Sequence, residues 1–155
     1  MSRKLKIPHF NYIAFLEKSR QAIDFLKENL KLNKIDGTVI ECDVLTCPDF
    51  STFGMVDLIV SNPPYIKTDV IDSLQEEVKQ EPIMALDGGN DGLKFYRAIT
   101  EKSKSALNKN GHLCFEIGFD QADDVCDILK QNGFCDISVF KDYGANNRVV
   151  IGKKI

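Results

Sequence analysis

The run VDLIVS, Val56 to Ser61, is apolar almost without interruption and leads straight into a pair of prolines, Pro63 and Pro64. A strand solvated on one face alternates apolar with polar residues, whereas a strand covered on both faces does not. VDLIVS therefore reads as a central strand of a parallel sheet wrapped by helices. The flanking sequence has the matching pieces. Tyr12 to Leu16, YIAFL, reads as a first strand, and Ser19 suits the N-cap of a helix reaching about Asn33, with Ile23, Leu26 and Leu30 on its buried face. Thr38 to Cys42, TVIEC, is a second strand. Beyond the prolines a loop-like region extends to about Asn90, with a short helix near Ile71 to Val78. Its last part, LDGGNDGL, is too rich in glycine and acid to be regular. A helix is expected from Asp91 to Asn108, stopped at NKNG, with Gly111 suited to a left-handed cap. Then come the strand HLCFEIG, a helix from Asp120 to Gln131 with Val125, Cys126 and Leu129 on one side, and the alternating strands CDISVFKD and RVVIGKK. The turn YGANN would join those two as an antiparallel hairpin at the edge of the sheet.

At 155 residues the chain suits one globular domain over its whole length, without repeats, low-complexity tracts or linkers. A net charge of -3, with lysines interleaved among acids, provides no basic stripe of the kind that grips duplex DNA, so a nucleic-acid partner is not expected. Cys42, Cys47, Cys114, Cys126 and Cys135 are odd in number and form no C-x-x-C pair. They read as free thiols of a reducing cytosol. With only His9 and His112 to join them, no metal site is expected. The N-terminus has no apolar core after its basic residues and no run is long enough to span a membrane, so a cytoplasmic protein is expected.

The prolines carry the chemistry. Each fixes its own φ, lacks an N–H and restricts the residue before it to extended conformations. Asn62 and Pro63 are thereby held open at the carboxyl end of a strand, where ligands of open α/β sheets collect. A planar NH2 group, in a glutamine amide or in adenine, is a poor nucleophile because its lone pair is delocalised. If fixed acceptors draw off its two hydrogens, the nitrogen can pyramidalise and aim its electrons at an electrophilic methyl. The Asn62 side-chain oxygen and the Pro63 carbonyl are such acceptors, with Pro64 stiffening the corner and Tyr65 as a wall for the flat group. Positioning of this kind is worth many powers of ten, without metal or strong base. The plainer alternative is that NPPY is only a rigid strand-to-loop turn.

The chain resembles the HemK/PrmC-type release-factor glutamine N5-methyltransferases. The resemblance rests on VDLIVSNPPYI, on LQEEVKQEPIMALDGGNDGLKFYRAI from Leu74 to Ile99, on FEIGFDQADDV and on KDYGANNRVVIGKK, and covers nearly the whole chain. The first motif is shared with other amino-methylating enzymes, whereas the EP..ALDGG.DGL.FYR arrangement is highly specific. The resemblance implies an α/β, Rossmann-like class I methyltransferase sheet with helices on both faces. It also implies S-adenosylmethionine as cofactor and, as substrate, the GGQ-loop glutamine of class 1 peptide-chain release factors. Asn62 and Pro63 would hold the glutamine amide, with Pro64 and Tyr65 beside it. Glu17, Asp43 and Asn62 would form the cofactor-binding set. Glu17 would take both ribose hydroxyls and Asp43 would meet the adenine amino group, although Cys42 stands where the family usually has glycine. Glu17 also suits an acid placed before a helix N-terminus, and Asp43 an ordinary strand-end acid. Asp87, Gly88 and Gly89 would shape a loop over the peptide, while Glu77 and Glu81 read as solvated charge.

The glycine-rich G-x-G turn of the family is absent. The opening MSRKLKIPHFNYIAFLEKS matches the tail of the family's first helix followed by its second strand, so the first strand, the glycine loop and a helical domain are expected upstream of Met1. Such an N-terminally truncated domain would either pair Tyr12–Leu16 directly with Val56–Ser61 or leave two open edges that invite self-association. It is expected to bind S-adenosylmethionine weakly or not at all. Two other readings stand beside this one. A DNA adenine N6-methyltransferase would need a basic groove and a target-recognition region. A non-catalytic binding module would dock on release factor through the EP..ALDGG loop.

Overall fold

A computed structural model describes residues 11–155. His9 and the stretch read as the tail of a helix lie outside the described residues. The chain divides into two compact units, one ending at Thr46 and one running from Cys47 to Ile155.

In the first unit, strand β1 (Ala14–Glu17) and strand β2 (Thr38–Glu41) pair in parallel across helix α1 (Arg20–Asn33). Ser19 caps the helix as its position suggests, its Oγ accepting the Ala22 N–H at 3.3 Å. Ile23 and Leu30, two turns apart, are buried on one face. Lys34 ends the helix in the left-handed region at φ 54°, where its N–H meets the Leu30 and Lys31 carbonyls.

The second unit holds strands β3 (Val56–Ser61), β4 (Leu107–Glu116), β5 (Phe134–Lys141) and β6 (Asn147–Lys154) in the order β3-β4-β6-β5. The β3–β4 pair is parallel; the β4–β6 and β5–β6 pairs are antiparallel, so the C-terminal hairpin forms as expected, with β5 outermost. Between β3 and β4 lie one 3-10 turn (Thr68–Ser73) and the short helices α2 (Glu76–Lys79) and α3 (Ile83–Leu86), followed by helix α4 (Lys94–Ala106). Helix α5 (Ala122–Gln131) connects β4 to β5.

The register places Leu113, Phe115 and Val150 on one face of the sheet, and all three are fully buried. Helices α4 and α5 close over that face. The Tyr96 ring of α4 meets Phe115 edge-on at 5.1 Å, and Val125 and Leu129 of α5 are completely enclosed. The opposite face carries Leu58 and Val60, in register with His112 and Cys114.

Three expectations need correction. VDLIVS has the bounds read from the sequence, but β3 pairs with β4 alone and is an edge strand, with Leu58 47% and Val60 67% exposed. The apolar run supplied the material for two-sided cover, yet α4 and α5 lie on the face that Leu58 and Val60 do not share. In the first unit, β1 pairs with β2. Helix α4 starts at Lys94 rather than Asp91, because the Asp91 carboxylate instead accepts the Leu93 N–H ahead of the first turn. At NKNG the left-handed residue is Asn110, at φ 65°, not Gly111, and the turn falls where the β3–β4 pairing is interrupted.

The two faces of the sheet should respond differently to truncation. Leu129→Ala is expected to cost about 3 kcal/mol in urea unfolding, against less than about 1 kcal/mol for the half-exposed Leu58→Ala.

Candidate functional site

At the carboxyl end of β3 the backbone enters the corner Asn62-Pro63-Pro64-Tyr65. Asn62 is exposed, Pro63 is buried, and Pro64 and Tyr65 are half-buried. Neither the Asn62 side-chain amide nor the Pro63 carbonyl has a hydrogen-bond partner among the described residues. The two acceptors singled out from the sequence are thus both uncommitted, on a backbone stiffened by two rings.

The corner is anchored at both ends. Upstream, Ser61 is paired with Phe115 in the sheet. Downstream, Ile66 forms an isolated parallel bridge with Asp87: the Ile66 N–H donates to Leu86 O at 3.0 Å and the Gly88 N–H to Ile66 O at 2.8 Å. The LDGG segment, read as a loop over the substrate, therefore lies alongside the chain leaving the corner. Asp87 organises it. Its Oδ1 accepts the Thr68 hydroxyl at 2.7 Å and the Gly89 N–H at 2.9 Å, and these bonds hold its carboxyl below the usual range.

Two glycines make the approach possible. A Cβ on Gly88 would lie 2.7 Å from the Tyr65 Cα, and one on Gly92, whose φ is +74°, only 2.4 Å from the Tyr65 oxygen. Thr68, Asp87, Gly89, Asn90, Asp91 and Arg97 border an open cleft of about 550 Å³ beside this loop. On its wall the Arg97 guanidinium grips Asp91 with both terminal nitrogens, Nη1 at 3.2 Å from Oδ1, and this pairing brings the Asp91 carboxyl down to about 2. Glu77, on α2, and Glu81 are exposed.

Gln121 escaped the sequence reading. It precedes α5, where a polar residue reads as part of a helix start, and nothing in its spacing shows that its side chain reaches Tyr65, 56 residues away. The Gln121 Nε2 donates to Tyr65 O at 3.1 Å and to Gly92 O at 3.3 Å. Tyr96, also missed, donates its hydroxyl to Glu116 O at 3.0 Å beside the same amide, and burial pushes its phenol well above the ordinary value.

The first unit places Glu17 and Asp43 at and just beyond the carboxyl ends of its two paired strands. Glu17 Oε1 accepts the Lys18 and Ser19 N–H groups at 2.8 and 2.7 Å. That fixes the carboxylate while Oε2 accepts no hydrogen bond among the described residues, an arrangement that fits a ligand with hydroxyl donors. Asp43 fits an incoming amine less well. Its Oδ2 holds the Lys18 ammonium at 2.8 Å and its Oδ1 takes the Leu45 N–H at 2.9 Å.

Residues 2–90 match the family model for the methyltransferase small domain. Among curated proteins the chain is similar to three named release factor glutamine methyltransferase. It is 45% identical over 140 residues to that of Fusobacterium nucleatum, covering 88% of this chain and 38% of the relative. It is 43% identical over 131 residues to that of Clostridium botulinum, with 83% and 46% covered. It is 38% identical over 151 residues to that of Geobacter sulfurreducens, with 96% and 51% covered. The chain therefore spans about half or less of these relatives' length. Among solved structures it is similar in fold to a methyltransferase from Pyrococcus furiosus, with a TM-score of 0.68, 16% identity, and 92% of this chain and 62% of that one covered. A methyltransferase complexed with SAH matches with a TM-score of 0.62 and 11% identity, covering 94% and 39%.

The Asp91–Arg97 pair makes stability acid-sensitive in a defined window. The folded carboxyl titrates near 2, below its unfolded value of about 3.9, so its contribution is complete above about pH 4 and is lost as pH falls towards 2. Arg97→Leu should therefore show a smaller drop in urea midpoint between pH 4 and pH 2 than the wild type.

Proposed function

The chain belongs to the methyltransferase small domain family, and on that premise we propose that it carries out the chemistry of a release-factor glutamine methyltransferase. The methyl donor in this reading is S-adenosylmethionine. The acceptor is the side-chain amide nitrogen of the GGQ glutamine of a class 1 peptide-chain release factor. The names of its relatives support this reading. The observation that carries it is the pair of uncommitted acceptors, the Asn62 side-chain oxygen and the Pro63 carbonyl, on a corner anchored at both ends.

The donor, when bound, supplies an electrophilic methyl on a sulfonium. Everything else falls to the chain's own residues. Asn62 and Pro63 would accept the two amide hydrogens out of the amide plane, so that the nitrogen lone pair leaves conjugation with the carbonyl and faces the methyl. As the N–C bond forms the methyl–sulfur bond would break, and the nitrogen would release one hydrogen as a proton to water. Pro64 keeps the two oxygens at fixed spacing, and Tyr65 supplies a flat surface for the amide. Glu17, in the first unit, would offer a pre-oriented carboxylate to a ribose diol, and Asp43 would meet the adenine amine only on exchanging its bond to Lys18. Two acceptors aimed at one planar nitrogen are worth most when they need not reorganise during the reaction.

Among the described residues no helix is long and apolar enough to cross a membrane. A cytoplasmic setting accords with a partner that works in translation. The unpaired edges of β1 and β3, with Val60 exposed on β3, suit self-association. The comparisons favour neither the DNA-adenine reading nor the non-catalytic one.

Methyl transfer from radiolabelled S-adenosylmethionine decides the matter when purified release factor and duplex DNA are offered side by side. Label is expected in release factor only, with Asn62→Ala reducing the rate at least about 100-fold. Equal transfer by Asn62→Ala, or label in DNA, would overturn the proposal. In sedimentation, Val60→Lys is expected to shift the chain towards monomer.

A further inference from the structure

We infer that Gln121 is the positioning residue of the Asn62–Tyr65 corner, and that its side-chain nitrogen sets where the corner stands. The inference rests on the preceding reading for what the corner acts on, and on geometry for the rest. Gln121 is only 6% exposed, and its amide makes three hydrogen bonds: Nε2 donates to Tyr65 O and Gly92 O, while Oε1 accepts the Gly118 N–H at 3.0 Å, with the Tyr96 oxygen 3.4 Å away. That uses both donors of the amide and engages its oxygen. The ordinary duty of a polar residue at this place is to cap the helix it precedes, yet the Gln121 side chain makes no cap bond to α5. It points instead to the two loops that flank the candidate site.

The consequence follows from how the corner is held. Pro63 and Pro64 cannot donate, so between Ser61, anchored in the sheet, and Ile66, anchored to the LDGG segment, the bond to Tyr65 O is the restraint nearest the uncommitted acceptors. Gly92 reports how tightly the parts fit, since a Cβ there would lie 2.4 Å from Tyr65 O and 2.7 Å from Gln121 Nε2. Loss of the Nε2 donor leaves the carbonyls of half-buried Tyr65 and buried Gly92 without this partner and lets the corner move. A shift of that kind degrades alignment in the transition state rather than binding of the methyl donor.

Gln121→Glu tests the nitrogen itself, because it keeps the shape and replaces the donor by an oxygen. When ionised, the new carboxylate would confront two carbonyls; when protonated, it donates to one of them. Burial beside two carbonyl dipoles raises its titration above the ordinary value of about 4.3, so the latch of this variant closes at low pH and opens at high pH. Two measurements are made on the full chain with wild type, Gln121→Glu and Gln121→Leu. The first is amide hydrogen exchange, normalised for intrinsic rate, at Ile66 and Gly88, with Leu113 and Val150 as core references. The second is methyl transfer to release factor.

In wild type, protection at Ile66 and Gly88 is expected to be flat from pH 5 to pH 8. In Gln121→Glu it should match wild type at pH 5 and fall about 10- to 100-fold at pH 8, with the core references unchanged. Gln121→Leu should lose kcat by about 10- to 100-fold, with KM for the methyl donor within about twofold, and Gln121→Glu should regain kcat as pH is lowered. Unchanged exchange and kcat in both variants would overturn the proposal. So would a uniform loss of protection, core included, that is the same at both pH values in Gln121→Glu. If wild type transfers no methyl to release factor, the preceding reading fails, and the exchange profile alone decides the role of Gln121.

Discussion

Two successive prolines deprive the chain after β3 of its own hydrogen-bond donors, so the corner they form has to be held from outside. The second unit is arranged around that constraint. The LDGG segment runs beside Ile66 and trades backbone bonds with it, Asp87 ties the segment to Thr68, and the Gln121 amide reaches across from the start of α5 to the Tyr65 carbonyl. Beneath them, Tyr96 and Phe115 lock α4 to β4, so the elements that present these groups share one buried face of the sheet. Rigidity is then a property of the assembly and not of the rings alone. The prolines limit which conformations are open, and the three neighbouring segments select one of them.

Much of this was legible in the amino-acid sequence, wherever the signal was local. VDLIVS marked its own strand to the residue, Ser19 marked the start of α1, and the alternation in CDISVFKD and RVVIGKK marked the hairpin. Signals depending on partners were not legible. The apolar run from Val56 to Ser61 states that cover is needed but not from which side it comes, and β3 lies at an edge with Leu58 and Val60 exposed. Gly111 looked like the left-handed residue by type, but Asn110 tolerates that conformation and the turn fell one position earlier. Asp91 looked like the first residue of a helix, but its carboxylate was engaged by Leu93 and Arg97. Asn62 and Pro63 could be singled out as paired acceptors from their types, and both are uncommitted among the described residues. Gln121 could not, since its role lies in contacts 56 and 29 residues away.

In the first unit the same pair of ideas applies at smaller scale. Glu17 is oriented by the two N–H groups that follow it, both bonded to the same oxygen. Asp43 shares its charge with Lys18, whose ammonium is more than half exposed. Glu17 keeps an oxygen that accepts no hydrogen bond among the described residues, whereas both oxygens of Asp43 are engaged, one by the Leu45 N–H and the other by Lys18. The two acids named together from the sequence therefore differ in readiness, a difference invisible in their spacing.

The bare α-carbons at Gly88 and Gly92 act as a gauge. Each marks a spot where two stretches of backbone lie closer than any side chain would permit, and Tyr65 is the common neighbour of both. An added methyl at either position would press on Tyr65, the last residue of the corner. The room left to the corner is thus set by two residues on a different stretch of the chain.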